Sequence, residues 1–231
     1  MPVRQTQRTF KDIQEEYDHL FEVDVVRDED RAYRWFAKQL FREKRQVQRL
    51  LDIACGGGFF LRELGKKFQG KTDLVGIDLS GKALELAKKE CPSASLLLSL
   101  GEALPFQRQT FQAMSCLGSL EHFLDISTAV REMKRIATQD ALFFILVPNL
   151  FWYKDLLSVL LTGNRKTRNQ THERFSSLGE WRGLLKELGL AVVKTIKYNG
   201  IARNPIKQGL KDLLIPLRFS YHFLFICRQK S

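Results

Sequence analysis

The stretch Arg49–Asp78 constrains this chain more than any other. RLLDIA is a short apolar run that ends in CGGG, the pattern of a buried strand entering a glycine turn. Phe59–Phe68 has helical spacing, and DLVGID (Asp73–Asp78) is a second apolar run, ending in an acid. Strand, glycine turn, helix and strand make a βαβ unit, the building block of parallel sheets covered on both faces. The glycines let backbone approach a ligand closely and adopt dihedrals closed to other residues. Asp78 stands 20 residues after Gly58, the place for a carboxylate accepting hydrogen bonds from both ribose hydroxyls. Together these features point to an adenosine-type ligand.

The same alternation continues downstream. Ser80 is a fair N-cap for a helix from Gly81 to Cys91. Ser95–Leu100, Phe111–Leu117 and Ala141–Val147 read as further strands, with helical spacing at Ile126–Thr138 between the last two. Ser176 or Ser177 caps a helix through Leu188, stopped by Gly189. Ala191–Tyr198 and Tyr221–Arg228 are the last two strands. Upstream, Ile13, Tyr17, Leu20 and Phe21, then Tyr33, Phe36, Leu40 and Phe41, predict two helices broken near Asp24–Asp30. The fold class is therefore α/β, a Rossmann-like doubly wound, mostly parallel sheet with helices on both faces. Such sheets bind ligands beyond the carboxyl ends of their strands. Residues 1–46 are expected as an N-terminal helical cap and 47–231 as the main domain.

The loop also discriminates among nucleotides. A dinucleotide fingerprint needs three glycines in G-x-G-x-x-G; counted from Gly56 the third position is Leu61, and counted from Ala54 the first is not glycine. No Gly-Lys-Ser/Thr follows, so a P-loop fails too. Asp52 at the loop entrance would repel a pyrophosphate but suits an ammonium. The expected ligand is an adenosine bearing a cationic group and no phosphates.

LLDIACGGGFFLREL, VGIDLSGKALELAKK, GEALPF, LGSLEH and REMKRIATQDALFFILVPN, in that order and spacing, resemble the class I S-adenosylmethionine-dependent methyltransferases. The branch is type 11, similar to the quinone-biosynthesis methyltransferases. The likeness covers about residues 48–150 and extends to HERFSSLGEWRGLLKELGL, which looks like the family's fifth helix. It implies seven strands with an antiparallel last strand, and S-adenosylmethionine as cofactor. By motif it implies that Asp52, Ala54 and Gly56–Gly58 hold the methionine end. Asp78 would grip the ribose and Leu79 pack on the adenine. Gly101 and Glu102 would lie at the adenine's other edge, and Leu117 and Gly118 line the sulfonium pocket. Three residues depart from the family pattern. Ala54 replaces a glycine, tolerable if it keeps extended geometry. Leu100 stands where an acid often meets the adenine amine, and Gln112 replaces an Asp.

Charge bears on the substrate. Of the net +11, residues 151–231 carry 15 Lys/Arg against 5 Asp/Glu, a net of +10. Two long connections fall in or beside that region, at about 148–175 and 199–220, and both should overhang the cofactor as lids. The first holds Phe151, Trp152, Tyr153 and a leucine run, followed by NRKTRNQTHER. The second sets Ile206, Leu210, Leu213, Leu214 and Leu217 beside Lys207, Lys211 and Arg218, an amphipathic spacing broken at Pro216. One-sided helices ordinarily pack that side on the body. The sharper expectation is an apolar groove with a basic rim, suited to a small-molecule or amphiphilic acceptor and to peripheral contact with an anionic membrane surface.

Methyl transfer needs alignment more than a nucleophile. A base, where the acceptor requires one, is expected from His122 or His172; His19 and His222 read as structural. Tyr17 and Tyr153 could face a sulfonium. Cys55, Cys91, Cys116 and Cys227 have no paired spacing, so neither a metal site nor disulfides are expected. The N-terminus lacks an apolar signal core, and a cytoplasmic location is expected. The alternatives are an RNA methyltransferase using the basic C-terminal third, or a methyltransferase-like protein that binds without turnover. No RNA-binding module is recognisable, so nucleic acid is the weaker partner reading.

Overall fold

A computed structural model describes residues 9–23, 30–164, 174–202 and 204–230. The stretch 165–173, which holds His172, lies outside them, as does most of the predicted helix break (24–29). Two helices come first, α1 (Phe10–Val23) and α2 (Asp30–Glu43). Then β1 (Arg49–Ile53), α3 (Phe59–Phe68), β2 (Asp73–Asp78), α4 (Gly81–Glu90) and β3 (Ser95–Leu98) form the first half of the sheet. The second half is β4 (Phe111–Leu117), α5 (Ile126–Ile136), β5 (Ala137–Pro148), α6 (Tyr153–Thr162), α7 (Leu178–Glu187), β6 (Leu190–Tyr198), α8 (Pro205–Leu214) and β7 (His222–Gln229).

The seven strands lie in the order β3-β2-β1-β4-β5-β7-β6. β1 to β5 pair in parallel, and β7 runs antiparallel between β5 and β6. The order reverses at β1, so the ends of β1, β2 and β4 open one crevice at the topological switch point.

Alternate residues of each strand feed two cores. Leu51, Ile53, Met114, Phe143, Ile145, Phe223 and Phe225 join α5 and α7 on one face. Leu50, Ala113, Phe144, Leu224 and Ile226 join α2 and α3 on the other. Burial on both faces is why these strands read as continuous apolar runs. Local signals set the ends. Ser80 Oγ accepts from Ala83 N–H at 3.0 Å, Asp125 Oδ1 accepts from Thr128 N–H at 3.0 Å, and Ser177 forms a reciprocal capping box with Glu180.

β5 begins four residues earlier than its apolar run. Ala137 pairs with Phe111, the register then breaks, and Leu142 pairs with Ala113. The polar residues of the break leave the ladder, where Asp140 accepts from Lys44 Nζ (2.6 Å) and Thr138 Oγ1 (2.9 Å).

The packing expected of the second connection is not what forms. Ile206, Leu210, Leu213 and Leu214 of α8 are exposed. α8 is instead held from its backbone, with Lys197 Nζ donating to Ile215 O at 2.9 Å and to Asp212 O.

Candidate active site

The turn after β1 is built from left-handed residues. Ala54 has φ 56°, Gly56 52° and Gly58 76°. Ala54 is thus not extended, contrary to expectation, and carries a methyl in a conformation that favours glycine. Gly58 is glycine for a second reason: a Cβ there would lie 2.8 Å from Ala87 Cα, because α4 crosses the turn closely.

This turn aims Gly56 N–H at Asp78. Asp78 Oδ2 accepts from it at 2.8 Å, and Oδ1 accepts from Ser80 N–H at 2.9 Å. Burial pushes the Asp78 carboxyl above its ordinary range, while those backbone donors pull the other way. Asp52, on β1, accepts from Ser115 Oγ at 2.7 Å. Burial raises Asp52 to about 7, against the Ser115 hydrogen bond and with a smaller push from the Asp78 charge.

Both carboxylates border a cavity of about 890 Å³ at the carboxyl edge of the sheet. Ala54, Gly56, Leu79, Gly101, Leu117 and Gly118 line it as well, so nearly every residue singled out in the sequence converges here. Gly58 does not line it and shapes the turn from behind. Gly101 is glycine because the Phe123 ring packs there, 2.5 Å from where a Cβ would sit. Glu102 also lines the cavity, with Oε1 accepting from Leu124 N–H at 3.1 Å. Leu100 lines the wall without a polar group to offer. Gln112 lies away from the cavity and accepts from Arg49 N–H at 2.8 Å, tying β4 to the start of β1.

The opposite wall was only partly legible. α1 lies across the opening with Tyr17, Leu20 and Phe21 facing in. Its Asp18 accepts from Ser80 Oγ at 2.5 Å and from Lys82 N–H at 3.3 Å, fastening α1 to the start of α4. His122 lines the cavity as expected. His222, expected to be structural, lines it too, edge-on to Tyr221 with ring centroids 4.0 Å apart. Glu121, Asp155, Tyr198 and Tyr221 complete this side, and nothing in the sequence singled them out. They meet through strand register, since Pro148 and Tyr198 both pair with His222. Trp152 joins them, its ring 4.6 Å from Tyr221, and Tyr153 packs edge-on against Trp152 at 6.2 Å.

The electrostatics select the ligand. Five carboxylates line the cavity, and among the described residues no Lys or Arg does, in a chain of net charge +11. Such a wall favours a cationic ligand and opposes a pyrophosphate. A buried carboxylate beside a glycine turn, with acids further in, suits an adenosine bearing an ammonium and a sulfonium.

Comparison with known proteins agrees. Residues 51–145 match the model of a methyltransferase domain family, Methyltransf_11. An uncharacterized methyltransferase of Bacillus subtilis, YcgJ, is 28% identical over 162 residues, 68% of this chain and 62% of that protein. A demethylmenaquinone methyltransferase of Staphylococcus aureus is 28% identical over 137 residues, 57% of this chain and 55% of that protein. The chain thus spans less than two thirds of the length of either relative. The crystal structure of Burkholderia thailandensis 1,6-didemethyltoxoflavin-N1-methyltransferase, with bound 1,6-didemethyltoxoflavin and S-adenosylhomocysteine, superposes with a TM-score of 0.67. It covers 100% of this chain and 94% of that one at 14% identity, a likeness of fold.

Proposed function

We propose that the chain is a class I S-adenosylmethionine-dependent methyltransferase of the type 11 branch, whose domain model its residues 51–145 match, and that it methylates a small-molecule acceptor. The acceptor we propose is lipid-like or otherwise amphiphilic. The observation that carries the reading is Asp78, buried at the tip of β2, oriented by Gly56 and Ser80 N–H groups and facing a cavity walled by carboxylates.

S-adenosylmethionine supplies an electrophilic sulfonium methyl for in-line displacement by the acceptor. The chain's part is alignment, which can account for about 7–11 kcal/mol of such a barrier. Asp78 would accept from the ribose hydroxyls through the lone pairs left beside its backbone bonds. Asp52 would face the ligand ammonium. α1, fastened by Asp18, would exclude water from above. Where the acceptor carries a proton, His122 or His222 is the proposed base.

The test follows label from methyl-labelled S-adenosylmethionine into a panel of quinol-like and lipid-linked acceptors. Transfer by the wild type and its loss in Asp78→Ala support the reading; no transfer to any amphiphile sinks the proposed acceptor class. Asn variants of His122 and His222 locate the base. Loss of the true base should lower turnover by about 10²–10⁴-fold while S-adenosylhomocysteine affinity stays unchanged.

A further inference from the structure

α6 and α8 are turned inside out. Eight of the fourteen exposed large apolar residues among the described ones lie on these two short helices. Leu160, Leu161, Ile206, Leu213 and Leu214 are each more than 70% exposed. On α8 the apolar residues recur at i, i+4, i+7 and i+8, one continuous stripe, with Lys207 and Lys211 one position further round. On α6, Leu157, Leu160 and Leu161 form the matching stripe, while Asp155 is buried. A water-facing helix puts its charges outward; these put leucines outward and lysines at the margin.

The two helices share a root. β5 and β6 end in one row, where Pro148 and Tyr198 both pair with His222. Asn149 stitches their flanks together, with Nδ2 donating to Arg218 O at 2.9 Å and to Ser220 O at 2.7 Å. Trp152 and Tyr221, at this root, line the active-site cavity. A surface that held these leucines would therefore lie beside the cavity mouth.

We propose that α6 and α8 seat this protein on an anionic lipid bilayer. Charge complementarity selects that occupant. The last third of the chain carries +10, with Lys154, Lys207 and Arg218 exposed on or next to the two helices. Interfacial helices have this composition, with leucine on one face and Lys or Arg beside it. No helix among the described residues is long and apolar enough to cross a membrane, so the helices would lie in the interface. The inference deepens the amphiphilic-acceptor reading and rests on it for its purpose: an acceptor held in the bilayer would lie next to the strand ends that border the cavity.

The experiment is flotation with phosphatidylcholine vesicles, with and without phosphatidylserine, at low and high salt. The wild type should float with the anionic vesicles, less so at high salt. Leu160→Glu/Leu161→Glu combined with Leu213→Glu/Leu214→Glu should reduce the bound fraction by about tenfold or more. Lys207→Gln/Lys211→Gln should weaken binding to anionic vesicles only, by about fivefold for each lysine. S-adenosylhomocysteine binding by the same variants verifies that they fold. The proposal is overturned if the wild type floats with neither vesicle or equally with both. It is also overturned if the leucines hold a dimer that the glutamates dissolve. Failure of the wild type to bind S-adenosylhomocysteine would instead overturn the methyltransferase reading while flotation persisted.

Discussion

Ala54 holds a left-handed backbone at φ 56° without being glycine. For an alanine that conformation costs about 1–2 kcal/mol, partly offset because glycine loses more entropy on folding. Ala54→Gly should therefore stabilise the protein by about 0.5–1 kcal/mol, read as a higher denaturant midpoint at unchanged slope. A lower midpoint would show that the methyl packs to advantage. Asp52 should contribute to the pH dependence, beside Asp78, whose carboxyl is also raised by burial. The Asp52 carboxyl titrates near 7 when folded and near 3.8 as a free side chain, so between those values the folded state holds the extra proton. Its stabilising effect is thus present at low pH and fades as pH rises through 7. Ligand binding should run the other way, because an ammonium prefers the ionised carboxylate. S-adenosylhomocysteine affinity should rise from pH 6 to pH 8 and release a proton near pH 7, and Asp52→Asn should abolish both effects. Persistence of the slope in that variant would assign it to another group. Gln112 shows how one residue can mislead: it departs from the family pattern, yet its side chain lies away from the cavity and ties two strands together.

At the scale of elements, α7 anchors the end of β5. Trp181 is fully buried and its Nε1 donates to Pro148 O at 2.9 Å, at the end of β5. Leu150 N–H donates to Ser176 O at 3.1 Å just beyond. Trp181→Ala should cost about 3–5 kcal/mol of stability. Trp181→Phe keeps most of the packing but strands a buried carbonyl, costing about 1–3 kcal/mol. Both are measured by chemical denaturation, and a null effect of Phe would show that Pro148 O finds another donor. The helices and strands were largely legible because each carries its own period and caps, as at Ser80 and Ser177. Three features were not. The early start of β5 depends on pairing with Phe111 across a register break. The cavity's far wall depends on which residues of β5, β6 and β7 stand side by side. The outward face of α8 was hidden because periodicity reveals a stripe, and tertiary structure decides what covers it.

Across the whole molecule, charge is sorted by depth. The excess of Lys and Arg lies in the last third, yet the cavity wall is acidic. Net charge alone would suggest an anionic substrate; the acidic wall favours a cation in the cavity instead. The glycine turn, Asp52 and Asp78 were legible because one βαβ unit places them within a short stretch of chain. The cavity's far wall, assembled from distant segments, was not. The central claim is that this cavity binds S-adenosylmethionine through Asp78. Calorimetric titration of S-adenosylhomocysteine into wild type and Asp78→Ala tests it most directly. The account predicts wild-type binding with a Kd of roughly micromolar order. Loss of the ribose hydrogen bonds should weaken it by about 1.5–3 kcal/mol in the variant. Absence of binding to the wild type, or equal affinity of the two proteins, would contradict it.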